Sequence, residues 1–205
     1  MPSKKLKSTI CPDRYYHVYN RGNNKEKIFF IPSDYDFFLT KYKQFIVPYA
    51  DTYAYCLLPN HFHFLFKTRE EVPSAKSVIP NQLRKLFISH TIRINYMQRR
   101  TGSLFTKNYQ RIEIDNDGYL NTLVNDIHKN PVKHGIYKDF ENYPYSSFPA
   151  FIMANSSFIS REEVFSWFGG KNAFIQFHKE DPLDPVEFTL MNIDEDERRD
   201  GVPVK

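Results

Sequence analysis

The run from residue 52 to residue 67 constrains the fold more than any other part of this 205-residue chain. It contains two β-prone stretches separated only by Pro59-Asn60, a turn-forming pair. A connection this short joins strands that pair antiparallel, so the run predicts a β-hairpin. His61 and His63 lie two residues apart in the second strand, and such side chains point to the same face. The hairpin therefore predicts two neighbouring imidazoles on one side of a sheet.

This histidine pair has two interpretations. Two imidazoles at adjacent heights suit two ligands of one metal ion, while Phe62, Phe64 and Phe66 would bury the opposite face of the strand. A His-x-His pair also occurs as an ordinary hydrogen-bonded pair without a metal. The spacing alone leaves both interpretations open.

The remaining elements predict an α+β fold. Periodicity and turn signals give the order strand, helix, strand, strand, helix, strand, helix. The first six elements match a ferredoxin-like split β-α-β plan, with an antiparallel four- to five-stranded sheet and helices packed mainly on one face. The flanking elements are predicted at 14–20 (strand), 34–47 (helix), 81–100 (helix), 104–114 (strand) and 118–129 (helix ending before Pro131).

The charge distribution divides the chain. Residues 1–150 carry 22 Lys and Arg against 13 Asp and Glu, a net charge of +9, whereas residues 151–205 carry 6 against 11, a net charge of −5. A basic body favours a polyanionic partner such as nucleic acid. We predict an N-terminal arm at 1–13, a main domain at 14–150, and an acidic C-terminal extension at 151–205 that is mobile at its end.

Composition argues against membrane and secreted classes. No apolar run approaches the roughly 18 residues that a membrane span needs, and the Lys-rich N-terminus lacks the apolar segment of a secretory signal. Cys11 and Cys56 form neither a disulfide framework nor a CxxC pair. We therefore expect a cytoplasmic, nucleoid-associated protein without a membrane partner.

The last predicted helix carries polar residues along one flank of its apolar stripe. Tyr119, Asp126 and Asn130 fall together on that flank at 100° per residue. Asp126 and Asn130 are separated by one helical turn. Such a flank can offer polar groups to a cleft beside a sheet, and it is equally typical of solvated surface residues.

Several motifs in consistent order resemble those of one family. HFH at 61–63, preceded by YCLLPN, resembles the His-hydrophobic-His motif of single-tyrosine HUH transposases, in particular the REP-associated tyrosine transposases and their insertion-sequence relatives. Three further segments resemble the family's opening strand, the entry to its fourth strand and its end-of-domain signature: YHVYNRG at 16–22, GSLF at 102–105, and IHKNPVKHG at 127–135 followed by YPYSS. The resemblance covers about residues 14–150.

The resemblance implies DNA strand cleavage and transfer. In this family, two histidines and a polar helix residue hold one Mg²⁺ or Mn²⁺ that polarises a DNA phosphate, and a tyrosine attacks to give a phosphotyrosine intermediate. By position, His61, His63 and Asn130 carry over as metal ligands. The implied partner is single-stranded or hairpin-ended DNA, and family members act as monomers or homodimers.

The nucleophile does not carry over. The family pattern places the catalytic tyrosine four residues before the asparagine, where this chain has Asp126. Tyr119 lies on the same flank, about 10 Å away along the helix axis, and Tyr109 lies on the predicted fourth strand; both are candidate substitutes. Two explanations are open. Strand transfer is lost, with Asp126 available to enlarge the metal site, or another tyrosine carries it out.

Candidate DNA-binding residues are chosen by charge and placement. Basic side chains on phosphates position such proteins on DNA. The candidates are Arg14, Arg21, Lys25, Arg84, Lys85, Arg93, Lys107, Arg111, Lys133 and His134.

The sequence is compatible with three functions. The first is a metal-dependent DNA strand transferase or a derivative of one. The second is a non-catalytic nucleic-acid-binding module, which Asp126 favours. The third is a metal-dependent hydrolase unrelated to DNA, for which a neutral or acidic cleft at the histidines would argue.

Overall fold

A four-stranded antiparallel sheet forms the centre of the protein, for which the computed structural model describes residues 8–72, 74–153 and 158–180. The strands are β1 (Tyr15–Arg21), β2 (Ala50–Leu58), β3 (His61–Thr68) and β4 (Gln110–Ile114). Their order across the sheet is β2-β3-β1-β4, and each neighbouring pair is antiparallel. The predicted hairpin is confirmed as β2 and β3, joined at Pro59-Asn60.

Two helices connect these strands and cover one face of the sheet. They are α1 (Pro32–Phe45) and α2 (Ala75–Met97), which pack against each other. Phe62 contacts Phe38 of α1 and Phe87 of α2, with ring centroids 5.2 and 5.6 Å away. Phe64 stacks on Tyr42 of α1 at 4.1 Å. The predicted ferredoxin-like α+β fold class is thus confirmed, with the phenylalanines of β3 buried as expected.

The opposite face of the sheet carries a second helical layer. Its helices are α3 (Leu120–Lys133), α4 (Phe148–Ile152), α5 (Arg161–Phe168) and α6 (Lys171–Glu180). α3 packs on β2 and α5. The six-element unit has its helices on one face, as predicted, and this second layer comes from residues that follow it.

The helix α3 continues past the proline that was predicted to end it. Pro131 has no N–H, so it cannot donate to the carbonyl of Ile127. The Asn130 side chain compensates, because its Nδ2 donates to the carbonyl of Asp126 at 2.9 Å and reaches that of Ile127 at 3.5 Å. The prediction that the helix stops before Pro131 was therefore wrong.

Two other elements begin well away from their predicted first residues, 81 and 104. α2 begins at Ala75, and β4 begins at Gln110 rather than at residue 104. Leu104 and Phe105 are buried, and Phe105 packs on Phe87. Phe105 forms one isolated antiparallel bridge, with Gly22, ahead of the continuous strand, and burial against α2 accounts for the apolar character of that segment.

The described part of the predicted C-terminal extension packs against the core. Phe174 of α6 contacts Phe151 and Phe165 at 4.9 and 5.3 Å, and all three are buried. The end of the extension and the first seven residues of the predicted arm lie outside the described residues. Within the described ranges, no helix has both the length and the apolar character needed to cross a bilayer.

Candidate metal and nucleic-acid site

The side chains of β1 and β3 that point toward α3 form one surface, which we call the histidine face. It comprises His17, Tyr19 and Arg21 of β1 with His61 and His63 of β3. The antiparallel register places Tyr19 opposite His63 and Arg21 opposite His61. Alternation along both strands therefore brings these five side chains together on the face away from α1 and α2.

The two histidines of β3 each have one paired and one unpaired ring nitrogen. The rings of His61 and His63 are 5.3 Å apart and nearly perpendicular. Nδ1 of His61 lies 2.8 Å from Oδ1 of Asn60, and Nδ1 of His63 lies 3.0 Å from Nε2 of His17. Both Nε2 atoms are buried and have no hydrogen-bond partner among the described residues. A buried unpaired polar atom is costly in an apolar setting, and a bound cation would satisfy both.

Burial keeps these imidazoles neutral. Burial, with smaller contributions from the neighbouring His134 and Arg21, lowers the pKa of His61 to about 3. Burial also lowers the pKa of His63 well below its ordinary value, with smaller contributions from the neighbouring imidazoles and from Lys133. Both rings therefore keep a lone pair at neutral pH, and the neutral imidazole is the form that binds a metal.

The third predicted ligand, Asn130, is buried on α3. Its amide nitrogen is engaged with the helix backbone, so its amide oxygen is the atom that could bind a cation. Among the described residues, no third His, Cys, Asp or Glu completes a metal-binding group, so an enlarged site that includes Asp126 is not supported. Two imidazoles and one amide oxygen fit a divalent transition metal better than Mg²⁺, which prefers oxygen ligands throughout.

A buried ion pair occupies position 126, where the resemblance implies a tyrosine. The Asp126 Oδ1 atom lies 2.6 Å from Nζ of Lys133, and the two side chains are 6% and 11% exposed. The Lys133 charge also lies near enough to contribute to the lowered pKa of His63. Position 126 therefore carries a carboxylate paired with the Lys133 ammonium group, and no phenolic hydroxyl.

The candidate substitute tyrosines are placed differently. Tyr109 packs against Phe87 of α2 at 5.5 Å, on the face opposite the histidines, so its position does not support a nucleophilic role. Tyr119 is buried and directly precedes α3. Tyr19, which the sequence analysis did not select, lies on the histidine face with its ring centroid 5.6 Å from that of His63.

A basic cavity of about 420 Å³ opens beside His61. Its lining includes Arg21, Lys25 and Lys27, together with His134, whose ring lies 4.7 Å from that of His61. No acidic residue is among the described residues that line it. Three of the predicted DNA-binding residues, Arg21, Lys25 and His134, thus meet next to the predicted metal ligands.

The other predicted DNA-binding residues lie elsewhere. Arg84 and Lys107 line a second cavity of about 560 Å³ beside α2, on the opposite face of the sheet, and Lys85 is exposed on α2. The rest take part in intramolecular contacts: Arg14 with Glu113, Arg93 with Asp34, Arg111 with the carbonyl of Ser8, and Lys133 with Asp126.

Sequence reasoning missed three contributors to this region. His17 and Asn60 bond the two histidines, and Lys27 adds a charge to the basic cavity. Alternation along β1 places His17 on the same face as Tyr19 and Arg21, which is a usable signal. The pairing of His17 with His63 depends on strand register, which the sequence pattern did not specify.

Comparison with known proteins confirms the resemblance drawn from the motifs. No protein-family model matches the chain. A Haemophilus influenzae protein described as a REP-associated tyrosine transposase is 29% identical over 119 residues, which is 54% of this chain and 66% of that protein, just under two thirds of its length. A solved structure of a REP-associated tyrosine transposase bound to a REP hairpin matches with a TM-score of 0.59 at 18% identity, over 73% of this chain and 85% of the other. The structural match supports the same fold.

Proposed function

We propose that this chain is a transposase-like protein, similar to the REP-associated tyrosine transposases, that binds hairpin DNA at the basic cavity beside His61. The observation that carries the proposal is the grouping of Arg21, Lys25 and Lys27 around the first histidine of the HFH motif. A cation cluster with no acidic residue in its described lining suits a phosphodiester backbone. It argues against a metal-dependent hydrolase unrelated to DNA, for which we expected a neutral or acidic cleft. The solved relative's hairpin ligand supports the choice of DNA form.

The charges of this cavity predict salt-sensitive binding. Each phosphate contact releases a condensed counterion, so the logarithm of the binding constant falls by about 0.7 to 0.9 per contact for each logarithmic unit of salt. Three contacts give a slope of about −2 to −3. Raising salt from 50 to 200 mM should then weaken binding by roughly 20- to 60-fold.

The same proposal includes a metal site at the unpaired histidine nitrogens. His61 and His63 would hold a divalent ion through Nε2, with the amide oxygen of Asn130 as the third protein ligand. Such an ion supplies charge stabilisation to a scissile phosphate. Asn60 and His17 orient the two rings by bonding their other nitrogens.

A second candidate function is DNA binding without strand transfer. The ion pair of Asp126 with Lys133 favours it. Where the resemblance implies a tyrosine nucleophile, this chain has a carboxylate that is already paired with an ammonium group. The position of Tyr109 on the opposite face of the sheet supports the same candidate.

Fluorescence anisotropy with a labelled REP-type hairpin tests the binding proposal. We expect hairpin binding in EDTA that is several-fold tighter than binding of a duplex of equal length. The double variant Lys25→Gln/Lys27→Gln should reduce the salt slope by about 1.5 to 2. The matched variant Lys43→Gln/Lys76→Gln removes two exposed charges from α1 and α2 and should leave the slope unchanged. Equal effects of the two variants would reject the basic cavity as the DNA site.

A denaturing gel separates the two candidate functions. Strand transfer predicts a covalent protein–DNA adduct after incubation with Mn²⁺ and hairpin DNA, whereas the binding module predicts none. An adduct formed by the unmodified chain would reject the second candidate. Peptide mapping would then identify the modified tyrosine.

A further inference from the structure

We propose that His17 is a positioning residue that holds His63 in the one tautomer able to bind a metal ion. The inference rests on the metal site in the proposed function and extends it to a residue of the neighbouring strand. His17 does not contact the site of the ion itself; it acts through His63.

The contact between the two rings is close and enclosed. Nε2 of His17 lies 3.0 Å from Nδ1 of His63, and both residues are buried. The ring planes are nearly parallel, with an interplanar angle of 14° and centroids 5.2 Å apart. Tyr19 closes the group, with its ring 4.9 Å from that of His17 and 5.6 Å from that of His63. The orientation of His63 is therefore set by β1 as well as by its own strand.

The contact between the two rings determines which nitrogen of His63 carries its proton. A bond between two ring nitrogens contains one proton, which belongs either to His63 or to His17. If Nδ1 of His63 carries it, Nε2 of His63 has a lone pair directed into the site. If Nε2 of His17 carries it, neutral His63 must bear its own proton on Nε2 and cannot bind a metal there. Metal binding therefore requires that His17 accept through Nε2 and carry its proton on Nδ1.

In His61, the other histidine of the motif, the position of the proton is fixed by a partner that can only accept a hydrogen bond. Nδ1 of His61 faces Oδ1 of Asn60, an oxygen that can only accept. His61 is therefore held with its proton on Nδ1 and its lone pair on Nε2. His63 reaches the same state only when its partner ring adopts the matching tautomer, so the chain has one fixed ligand and one that depends on His17.

Two substitutions separate positioning from packing. In His17→Gln the side-chain Oε1 can accept from Nδ1 of His63, whereas His17→Leu offers no acceptor. We expect His17→Leu to weaken Mn²⁺ binding about 10- to 100-fold in titration calorimetry. The glutamine variant should recover most of that loss. His90→Gln is the matched control, since His90 is also buried and hydrogen-bonded but lies on the α1 and α2 side of the sheet.

A spectroscopic measurement gives a readout that a space-filling role would not change. Long-range ¹⁵N spectra of the histidine side chains, recorded with Zn²⁺ as a diamagnetic ion, report which ring nitrogen carries the proton. We expect protonated Nδ1 and metal-bound Nε2 for His63 in the wild type and in His17→Gln. In His17→Leu we expect a mixture of tautomers before metal is added.

Three results would overturn the proposal. They are binding by His17→Leu within threefold of wild type, metal bound to Nδ1 of His63, and absence of metal binding by the wild type. Hairpin binding in EDTA distinguishes these failures from failure of the DNA proposal, because it does not require the ion. If the leucine variant does not fold, the glutamine variant and the wild-type spectra still decide the question.

Discussion

The buried ion pair between Asp126 and Lys133 offers the sharpest test of what position 126 contributes to this protein. Both side chains are almost fully buried, and Nζ lies 2.6 Å from Oδ1. Asp126→Leu would leave an ammonium group without its partner, and Lys133→Met would leave a carboxylate. Removing both partners would replace the pair with apolar side chains of similar size.

The expected magnitudes follow from this burial. Breaking a buried pair by removing one partner costs about 3 to 5 kcal/mol, and the slight exposure of Lys133 argues for the lower value. At about 2 to 4 °C per kcal/mol for a chain of this size, each single variant should melt roughly 6 to 12 °C lower. The double variant should lie within about 1 kcal/mol of wild type, because no uncompensated charge remains. The coupling energy is then about 5 kcal/mol.

Urea unfolding measures the cycle directly. Trp167 stacks on Tyr53 at 4.9 Å, so its fluorescence reports the packing of the second helical layer on the sheet. Circular dichroism gives an independent probe of the same transition. Single variants that each lose less than 1 kcal/mol, with additive effects in the double variant, would refute the view that this pair is a buried structural replacement for the tyrosine. Hairpin binding by the double variant should equal that of wild type.

Three further predictions concern the site itself. Under the second candidate function, in which the parent chain forms no adduct, Asp126→Tyr combined with Lys133→Met should form a covalent adduct with hairpin DNA and Mn²⁺ on a denaturing gel; no adduct despite intact metal binding would show that more than the nucleophile is missing. His61→Ala and His63→Ala should each lower Mn²⁺ affinity at least about 10-fold in calorimetry and leave hairpin binding in EDTA unchanged; wild-type metal affinity in either variant would exclude that histidine as a ligand. Stability should fall as the pH drops below about 6.5, because the unfolded chain takes up protons there that the folded chain cannot accept. Burial lowers the pKa of His17 and His61 to about 3 and that of His90 and His178 to about 4. Each contributes up to about 1.4 kcal/mol per pH unit below 6.5, and a flat urea midpoint between pH 7 and pH 5 would contradict this.

The sheet and its histidine pair were accessible from the sequence for a local reason. Alternation in a strand has a period of two, so His61 and His63 had to share a face once the run was identified as a strand. Pro59-Asn60 made that identification firm by leaving room only for a tight antiparallel connection. The order of helices and strands then led to the ferredoxin-like plan that the structure has.

The burial of polar residues on helix α3 could not be predicted from local sequence patterns. The apolar stripe of this helix was predicted correctly, but polar residues outside that stripe are buried as well, because the helix is packed against α5 and α6 in addition to the sheet. His128 illustrates the consequence: its Nδ1 lies 2.9 Å from Nε2 of His178, and its Nε2 lies 2.7 Å from Oγ of Ser147. These partners are 50 and 19 residues away in the chain, and helical periodicity contains no information about them.

By itself, the sequence determined the strand that carries both histidines, the face they share and the fold class. Tertiary structure alone decided which groups bond those side chains. Strand register brought His17 to His63, and the seven-residue spacing along α3 became an ion pair because burial left Lys133 and Asp126 with each other. The physical reason is range: side-chain alternation and helix periodicity act over a few residues, whereas the partner of a buried polar atom is chosen by how distant segments pack.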